Sequence, residues 1–278
     1  MEKIKILDID NDGMNLATDE QYLYMRCNRA MYKYYLLNNQ IVAEKSIFKK
    51  DGKARGFAIF KDLIFLYGFL DLYILSKYDL EAKVNLRLGE NLSSDICEVM
   101  WVESSKAYVK IRNGWIYVLD INTSKFDKTQ VSDVSFWSDC VTEDCIYAGT
   151  VNGELLEIDK RTLEVARKVR LCKKNIYSIV YEDGLLYTTS QDQTIKIVDT
   201  ISFETVCVAK KAVTGMANII GVYKDILIVA GERNPLSIWD KKTLQLRGTI
   251  DFPQNRNSII RGNILYGSDR KSVYKMIM

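Results

Sequence analysis

Residues 181–199 read YEDGLLYTTSQDQTIKIVD, and this stretch contains the pattern that decides the fold. It holds an apolar-aromatic step at 186–188, a polar turn at 191–193 and an alternating segment at 195–199. Alternation of apolar and polar residues is typical of a half-buried β-strand, and turn residues between two such segments indicate a hairpin. The stretch therefore predicts two consecutive antiparallel strands.

This step occurs seven times along the chain, six times with an aromatic residue at its centre and once with isoleucine. Its central residues are Tyr24, Phe65, Tyr108, Tyr147, Tyr187, Ile228 and Tyr266. Successive central residues lie 41, 43, 39, 40, 41 and 38 positions apart. Self-similarity at about 40 residues is typical of the four-stranded blades of a β-propeller.

The repeat predicts an all-β chain that folds as a seven-bladed β-propeller of four-stranded antiparallel blades, in a single domain over residues 1–278. The blades are expected at roughly 14–50, 54–90, 96–132, 134–172, 176–213, 216–253 and 257–278. The last unit ends after its third strand, whereas residues 3–10 contain a strand with no unit of its own. We expect this N-terminal strand to join the last blade and close the ring, because closure protects sheet edges.

The unit at 181–199 resembles a WD40 repeat, and Trp239-Asp240 is the one Trp-Asp pair at the expected place. The resemblance covers nearly the whole chain and implies the fold but no particular activity, since propellers serve many roles. The Gly-His dipeptide of such repeats is missing, so Asp192 keeps the family's Asp position without its His partner. Because a buried unpaired carboxylate is costly, we expect Asp192 to be solvated or to accept a backbone N–H.

The composition narrows the chemistry that the chain could perform. It has no histidine, which excludes Ser-His-Asp and Cys-His catalysis. Its cysteines do not form a four-ligand zinc pattern, and we predict no metal and no cofactor. No run of about 18 apolar residues and no signal-peptide core occurs, so we predict a cytoplasmic protein that does not bind membranes.

Basic residues concentrate in the second part of the chain, where residues 160–278 hold 20 Lys/Arg against 11 Asp/Glu. In a propeller, the loops that follow the aromatic step and the loops between blades share one face. We predict that this face binds a partner, with some of its basic residues and the mouth of the channel providing the contacts. The candidates are Arg26, Arg29, Arg55, Arg112, Lys173, Lys174, Tyr177, Asn218, Arg233, Arg256 and Asn257. The alternative, that these loops are charged only because they are solvated, stays open.

Three functions are compatible with these features. The favoured hypothesis is a non-catalytic scaffold, monomeric on its own, that binds a protein or peptide and favours an anionic partner. The second is an enzyme or small-ligand binder at the channel mouth, with Glu98 as the candidate base. The third, less favoured, is nucleic-acid binding through the basic loops, which predicts steep salt dependence.

Overall fold

The computed structural model describes most of the chain, and all regular structure in the described part is β-strand. The described residues are 3–8, 15–19, 21–27, 30–38, 40–46, 56–68, 71–88, 97–111, 113–231, 235–253, 258–269 and 272–278. The chain divides into two compact units, and the first comprises Met1–Lys128 with Asn257–Met278. The second unit is Thr129–Arg256. The expectation of a single domain stays a prediction.

Unit 1 contains four sheets, three of them formed by consecutive strands. These three sheets are β2 (Asn15–Thr18), β3 (Tyr22–Cys27), β4 (Ala30–Tyr35) and β5 (Gln40–Ser46); β6 (Gly56–Phe60), β7 (Leu63–Tyr67), β8 (Asp71–Ser76) and β9 (Ala82–Arg87); and β10 (Cys97–Glu103), β11 (Lys106–Ile111), β12 (Trp115–Asp120) and β13 (Phe126–Gln130). The fourth sheet combines β26 (Ile259–Arg261), β27 (Ile264–Ser268) and β28 (Ser272–Ile277) with β1 (Lys3–Asp8).

Unit 2 contains three sheets, again of four consecutive strands each. They are β14 (Phe136–Val141), β15 (Cys145–Thr150), β16 (Glu154–Asp159) and β17 (Val165–Arg170); β18 (Ile176–Glu182), β19 (Leu185–Ser190), β20 (Ile195–Asp199) and β21 (Thr205–Ala209); and β22 (Asn218–Tyr223), β23 (Ile226–Ala230), β24 (Leu236–Asp240) and β25 (Leu246–Ile250). All strand pairings within these three sheets are antiparallel, as the hairpin pattern predicts.

The seven sheets are the blades of a seven-bladed β-propeller, which confirms the predicted fold class. The predicted closure is confirmed as well, because β1 pairs with β28 from Lys3 opposite Met276 to Asp8 opposite Ser272. The Ser272 hydroxyl also donates a 2.7 Å hydrogen bond to Asp8 Oδ1. The N-terminal strand thus supplies the outer strand, which is the fourth strand of each blade.

The apolar core of each unit lies between successive blades. In unit 2, one cluster joins residues from Tyr147 in β15 to Phe203 after β20, and a second extends from Tyr187 to Leu244. The step residue Tyr187 is 1% exposed, which explains why an aromatic residue recurs at this position. Packing of large side chains between blades is the main favourable contribution to such a fold.

A repeated turn follows the third strand of four blades. We call these the Asp turns, and each begins at the last residue of the strand: Asp120, Asp159, Asp199 and Asp240. In the Asp199 turn the carboxylate accepts the N–H groups of Ile201 (3.1 Å) and Ser202 (2.7 Å). The Phe203 N–H bonds the Asp199 carbonyl at 2.9 Å, with φ of 61° at Phe203. The Asp of the Trp-Asp pair therefore fixes a turn.

Short hydroxyl side chains link neighbouring blades of unit 2. Ser138 in β14 donates to the Ile176 carbonyl at 2.9 Å. Thr189 in β19 donates to the Ala217 carbonyl at 2.6 Å. Both hydroxyls are buried, so each bond connects adjacent blades away from solvent.

Candidate interaction surface

Three connections in unit 2 bring together four exposed lysines. The connections span residues 171–175, 191–194 and 210–217. We call them the basic loop cluster. Its lysines are Lys173, Lys174, Lys210 and Lys211. Among the residues that the structure describes, none of these lysines has a carboxylate within ion-pair distance.

Asp192 joins the first two loops of the cluster. Its Oδ2 accepts the Lys173 N–H at 2.9 Å, and its Oδ1 accepts the Thr194 hydroxyl at 2.6 Å and the Thr194 N–H at 3.2 Å. The expectation that this carboxylate is paired with a backbone N–H is confirmed. Burial disfavours its charge, but the bonds from Thr194 and Lys173 outweigh burial and hold the pKa of Asp192 below its usual range.

Backbone hydrogen bonds connect all three loops in sequence. The Gln191 N–H bonds the carbonyl of Asn175 at 2.9 Å, which ties the second loop to the first. The Ala212 N–H bonds the carbonyl of Gln193 at 2.9 Å, which ties the third loop to the second. The backbones that carry the lysines are therefore held in fixed positions.

The first loop is also supported by the neighbouring blade strands. The Gly153 carbonyl accepts the N–H groups of Leu171 (3.0 Å) and Cys172 (2.9 Å). Arg170 Nε bonds the Cys172 carbonyl at 3.0 Å, and the Lys196 ammonium bonds the Leu171 carbonyl. Gly153 has φ of 82°, and a Cβ there would lie 2.6 Å from the Lys174 carbonyl oxygen, so only glycine allows this approach.

The electrostatic character of the cluster is positive. Asp192 is the only carboxylate in the three connections, against four lysines. Its two oxygens are already occupied by the N–H and hydroxyl groups of the loops. The lysine ammonium groups are exposed and thus accessible to an anionic partner.

Two half-buried aromatic residues lie at the start of neighbouring first strands. Trp137 in β14 and Tyr177 in β18 each occupy a bulged position, because the strand register shifts across them. Their rings pack edge to face, with centroids 6.0 Å apart. A β-bulge redirects a side chain relative to the regular strand, and this pair forms an aromatic contact that spans two blades.

Four of the predicted binding residues lie in or directly beside the basic loop cluster. Lys173 and Lys174 are in its first loop, and Tyr177 is the second residue of the strand that leaves this loop. Asn218 begins β22, directly after the third loop, and is partly buried. Their predicted role in binding stays a prediction.

In unit 1 the structure corrects the expected location of Arg26 and shows the partner of Glu98, while the predicted role of each residue stays a prediction. Arg26 was expected in a loop, but it lies within β3, is 3% exposed and donates from Nε to Asn15 Oδ1 at 2.8 Å. Glu98, the candidate base, lies opposite Lys110 in the β10–β11 register. It forms a 2.9 Å ion pair with the Lys110 ammonium, whose side chain is 2% exposed. Glu98 therefore compensates a buried cation.

The remaining candidates lie outside the described residues. They are Arg29, Arg55, Arg112, Arg233, Arg256 and Asn257. Lys210 and Lys211 are not among the binding residues predicted from the sequence, although they lie in the part of the chain where basic residues concentrate. Trp137 is likewise absent from the residues predicted to bind. The signal that could have identified Trp137 is an aromatic residue second in a first strand, the position that Tyr177 occupies in the next blade.

Comparisons with known proteins identify the fold. No family model and no curated protein matches the chain. A chain of the mitotic checkpoint complex is similar, with a TM-score of 0.82 and 11% identity, over 100% of this chain and 91% of that chain. The Cps50 (Swd1) β-propeller domain of Myceliophteria thermophila is similar with a TM-score of 0.79 and 12% identity, over 98% and 99%. The computationally designed Ika8 protein gives 0.75 and 11%, over 99% and 98%.

These likenesses show that the chain has the fold of a WD40-like β-propeller. In the described part of the chain, no helix has the length and apolar character of a membrane span. The cytoplasmic location stays a prediction.

Proposed function

We propose that this protein is a non-catalytic scaffold that binds an acidic segment of a protein partner at the basic loop cluster. The observation that carries the proposal is the set of four exposed lysines without ion-pair partners among the described residues, on loops held by hydrogen bonds. Because the loops are already ordered, less conformational entropy is lost when a partner binds. The positive charge favours acidic sequences and speeds their association.

Two further observations support a protein partner. The similar chain with a TM-score of 0.82 was solved within a mitotic checkpoint complex, which is a protein assembly by its description. The contact between Trp137 and Tyr177 supplies partly exposed aromatic surface beside a strand that leaves the first loop. Aromatic residues are enriched in the centres of protein interfaces. The enzyme alternative has less support, because Glu98 is already paired with Lys110.

A matched pair of double variants tests the proposal. Lys173→Gln with Lys174→Gln removes two charges from the cluster, whereas Lys224→Gln with Lys242→Gln removes two from exposed turns between other strands of unit 2. The probe is a fluorescein-labelled peptide of alternating Glu and Leu, measured by fluorescence anisotropy at low salt. Two exposed ion pairs are worth about 0.4–2 kcal/mol, so the cluster variant should bind about 2- to 30-fold more weakly.

The control double variant should bind the peptide as the wild type does. Equal weakening in both variants would contradict the proposal, since it would indicate attraction to net charge alone. Fluorescein-labelled single- and double-stranded DNA and RNA, equal in residue number to the peptide, are measured in the same way for comparison. If they bind more tightly than the peptide and with a steeper salt dependence, the nucleic-acid hypothesis replaces this one.

A further inference from the structure

One outer strand differs from the other six in charge. The outer strands are β1, β5, β9, β13, β17, β21 and β25. Strand β21 reads TVCVA and contains no charged residue, whereas each of the other six contains at least one. Charged residues on an edge strand oppose pairing with the edge of another sheet. Strand β21 lacks this protection.

The exposed side of β21 is apolar. Val206 is 59% exposed and Val208 is 41% exposed, while Cys207 and Ala209 pack against the core between the second and third blades of unit 2. Strand β21 is the last strand of its sheet, so one row of its backbone N–H and C=O groups has no strand partner in the part of the chain that the structure describes.

A bulge at Val206 does not distinguish β21 from its counterparts. The register shifts near the start of β21, and it also shifts in β5, β9, β17 and β25. Bulges twist an edge away from a partner, and these five outer strands share that device. The missing charge is therefore the property specific to β21.

Residues 204–210, with the sequence ETVCVAK, are complementary to themselves in an antiparallel arrangement. In a pairing centred on Cys207, Val206 of one copy lies opposite Val208 of the other, and both copies contribute such a pair; the bulge at Val206 is the irregular position of each paired edge. At the ends, Glu204 lies opposite Lys210. Both end residues are exposed, and neither forms an ion pair with a described residue.

We propose that β21 is the docking surface for a second copy of this chain, through antiparallel pairing of the two β21 strands. Cross-strand valine pairs and opposite charges directly opposite each other stabilise strand pairing. The arrangement is two-fold symmetric, which is the commonest symmetry of homodimers. The surface is small, so the dimer is weak and forms at high protein concentration. The proposal differs from the expectation of a protein that is monomeric on its own, and the experiment below distinguishes the two.

Sedimentation velocity of the full chain over a wide concentration range tests the proposal. The wild type should show a reversible shift from monomer to dimer. Val208→Lys should remain monomeric, because two lysines would enter the paired edge. Val165→Lys is the matched control, since Val165 is 40% exposed on the outer strand β17, and it should dimerise as the wild type does.

Charge exchange distinguishes this register from other contacts. Glu204→Lys and Lys210→Glu should each weaken the dimer by about tenfold, because each places like charges opposite each other at both ends. The double variant Glu204→Lys with Lys210→Glu restores opposite charges and should dimerise again. A short bismaleimide should cross-link the wild-type dimer, and the Cys207→Ser variant should lose the cross-link.

A wild type that stays monomeric at every concentration overturns the proposal. This holds even if a different protein covers β21. A dimer that persists in Val208→Lys, or a double charge variant that fails to dimerise while folded, also overturns it. The measured quantity is molar mass, which distinguishes these outcomes from a loss of peptide binding, although Lys210 belongs to both the basic loop cluster and the paired edge.

Discussion

Replacing Asp192 with alanine removes the side chain that joins the first two loops of the basic loop cluster. The bond from the Lys173 N–H connects residues 19 positions apart, and its loss leaves that donor without its partner. A hydrogen bond to a charged group contributes about 1.5–3 kcal/mol, and the two Thr194 bonds are local and add less. We expect the free energy of unfolding to fall by about 2–3 kcal/mol, which lowers Tm by roughly 4–10 °C.

Two measurements check this expectation. Thermal unfolding gives the change in Tm, and hydrogen exchange of peptides that cover residues 171–175 reports the Lys173 amide directly. Glu164→Ala is the control, because Glu164 is an exposed carboxylate of unit 2 whose side chain has no partner among the described residues. Unchanged exchange at Lys173 in Asp192→Ala, or an equal loss of Tm in the control, would refute the reasoning.

Two further perturbations follow from the same contacts. Gly153→Ala should displace the first loop and weaken binding of the acidic peptide. The new Cβ would lie 2.6 Å from the Lys174 carbonyl oxygen, and the φ of 82° at this position is unfavourable for alanine. An unchanged affinity together with unchanged hydrogen exchange of residues 171–175 would contradict this. The Asp turns should make the free energy of unfolding depend on pH in the acidic range. In each turn, the backbone N–H of the residue three positions after the Asp bonds to its carboxylate and lowers its pKa. A lowered folded-state pKa means that their contribution is complete above the unfolded value of about 3.9 and is lost as pH falls through the folded values. In urea unfolding from pH 6 to pH 2.5, Asp199→Asn should reduce this loss, and a slope equal to that of the wild type would count against it.

The repeat was readable from the sequence because every blade meets the same physical demands. Most blades bury a large side chain at the centre of the second strand, and Tyr187 is an example of a residue that marks that position. The need to complete the last blade also predicted the pairing of β1 with β28. These features depend on the local residue pattern and on the spacing of the repeats, and both can be read from the amino-acid sequence.

The candidate site was harder to predict from the sequence because its contacts depend on the register between paired strands. The pairing of Glu98 with Lys110 appears only when β10 and β11 are aligned residue by residue. Arg26 was expected in a loop, but β3 continues through it and Asn15 of the adjacent strand accepts its hydrogen bond. A backbone N–H was one of the two partners expected for Asp192, but the identity of the donor, Lys173 of the connection before the blade, is visible only in the folded chain.

The pairing of β1 with β28 has a consequence for how the protein is made. Asp8 and Ser272, which bond across this pair, are 264 residues apart in the chain. A ribosome adds about 5–20 residues per second, so β1 leaves the ribosome roughly 15–50 s before its partner exists. The other six blades consist of consecutive strands and are able to form in order during this interval. A chain whose translation stops before β28 therefore contains six complete blades, and its first strand β1 lacks the strand with which it pairs.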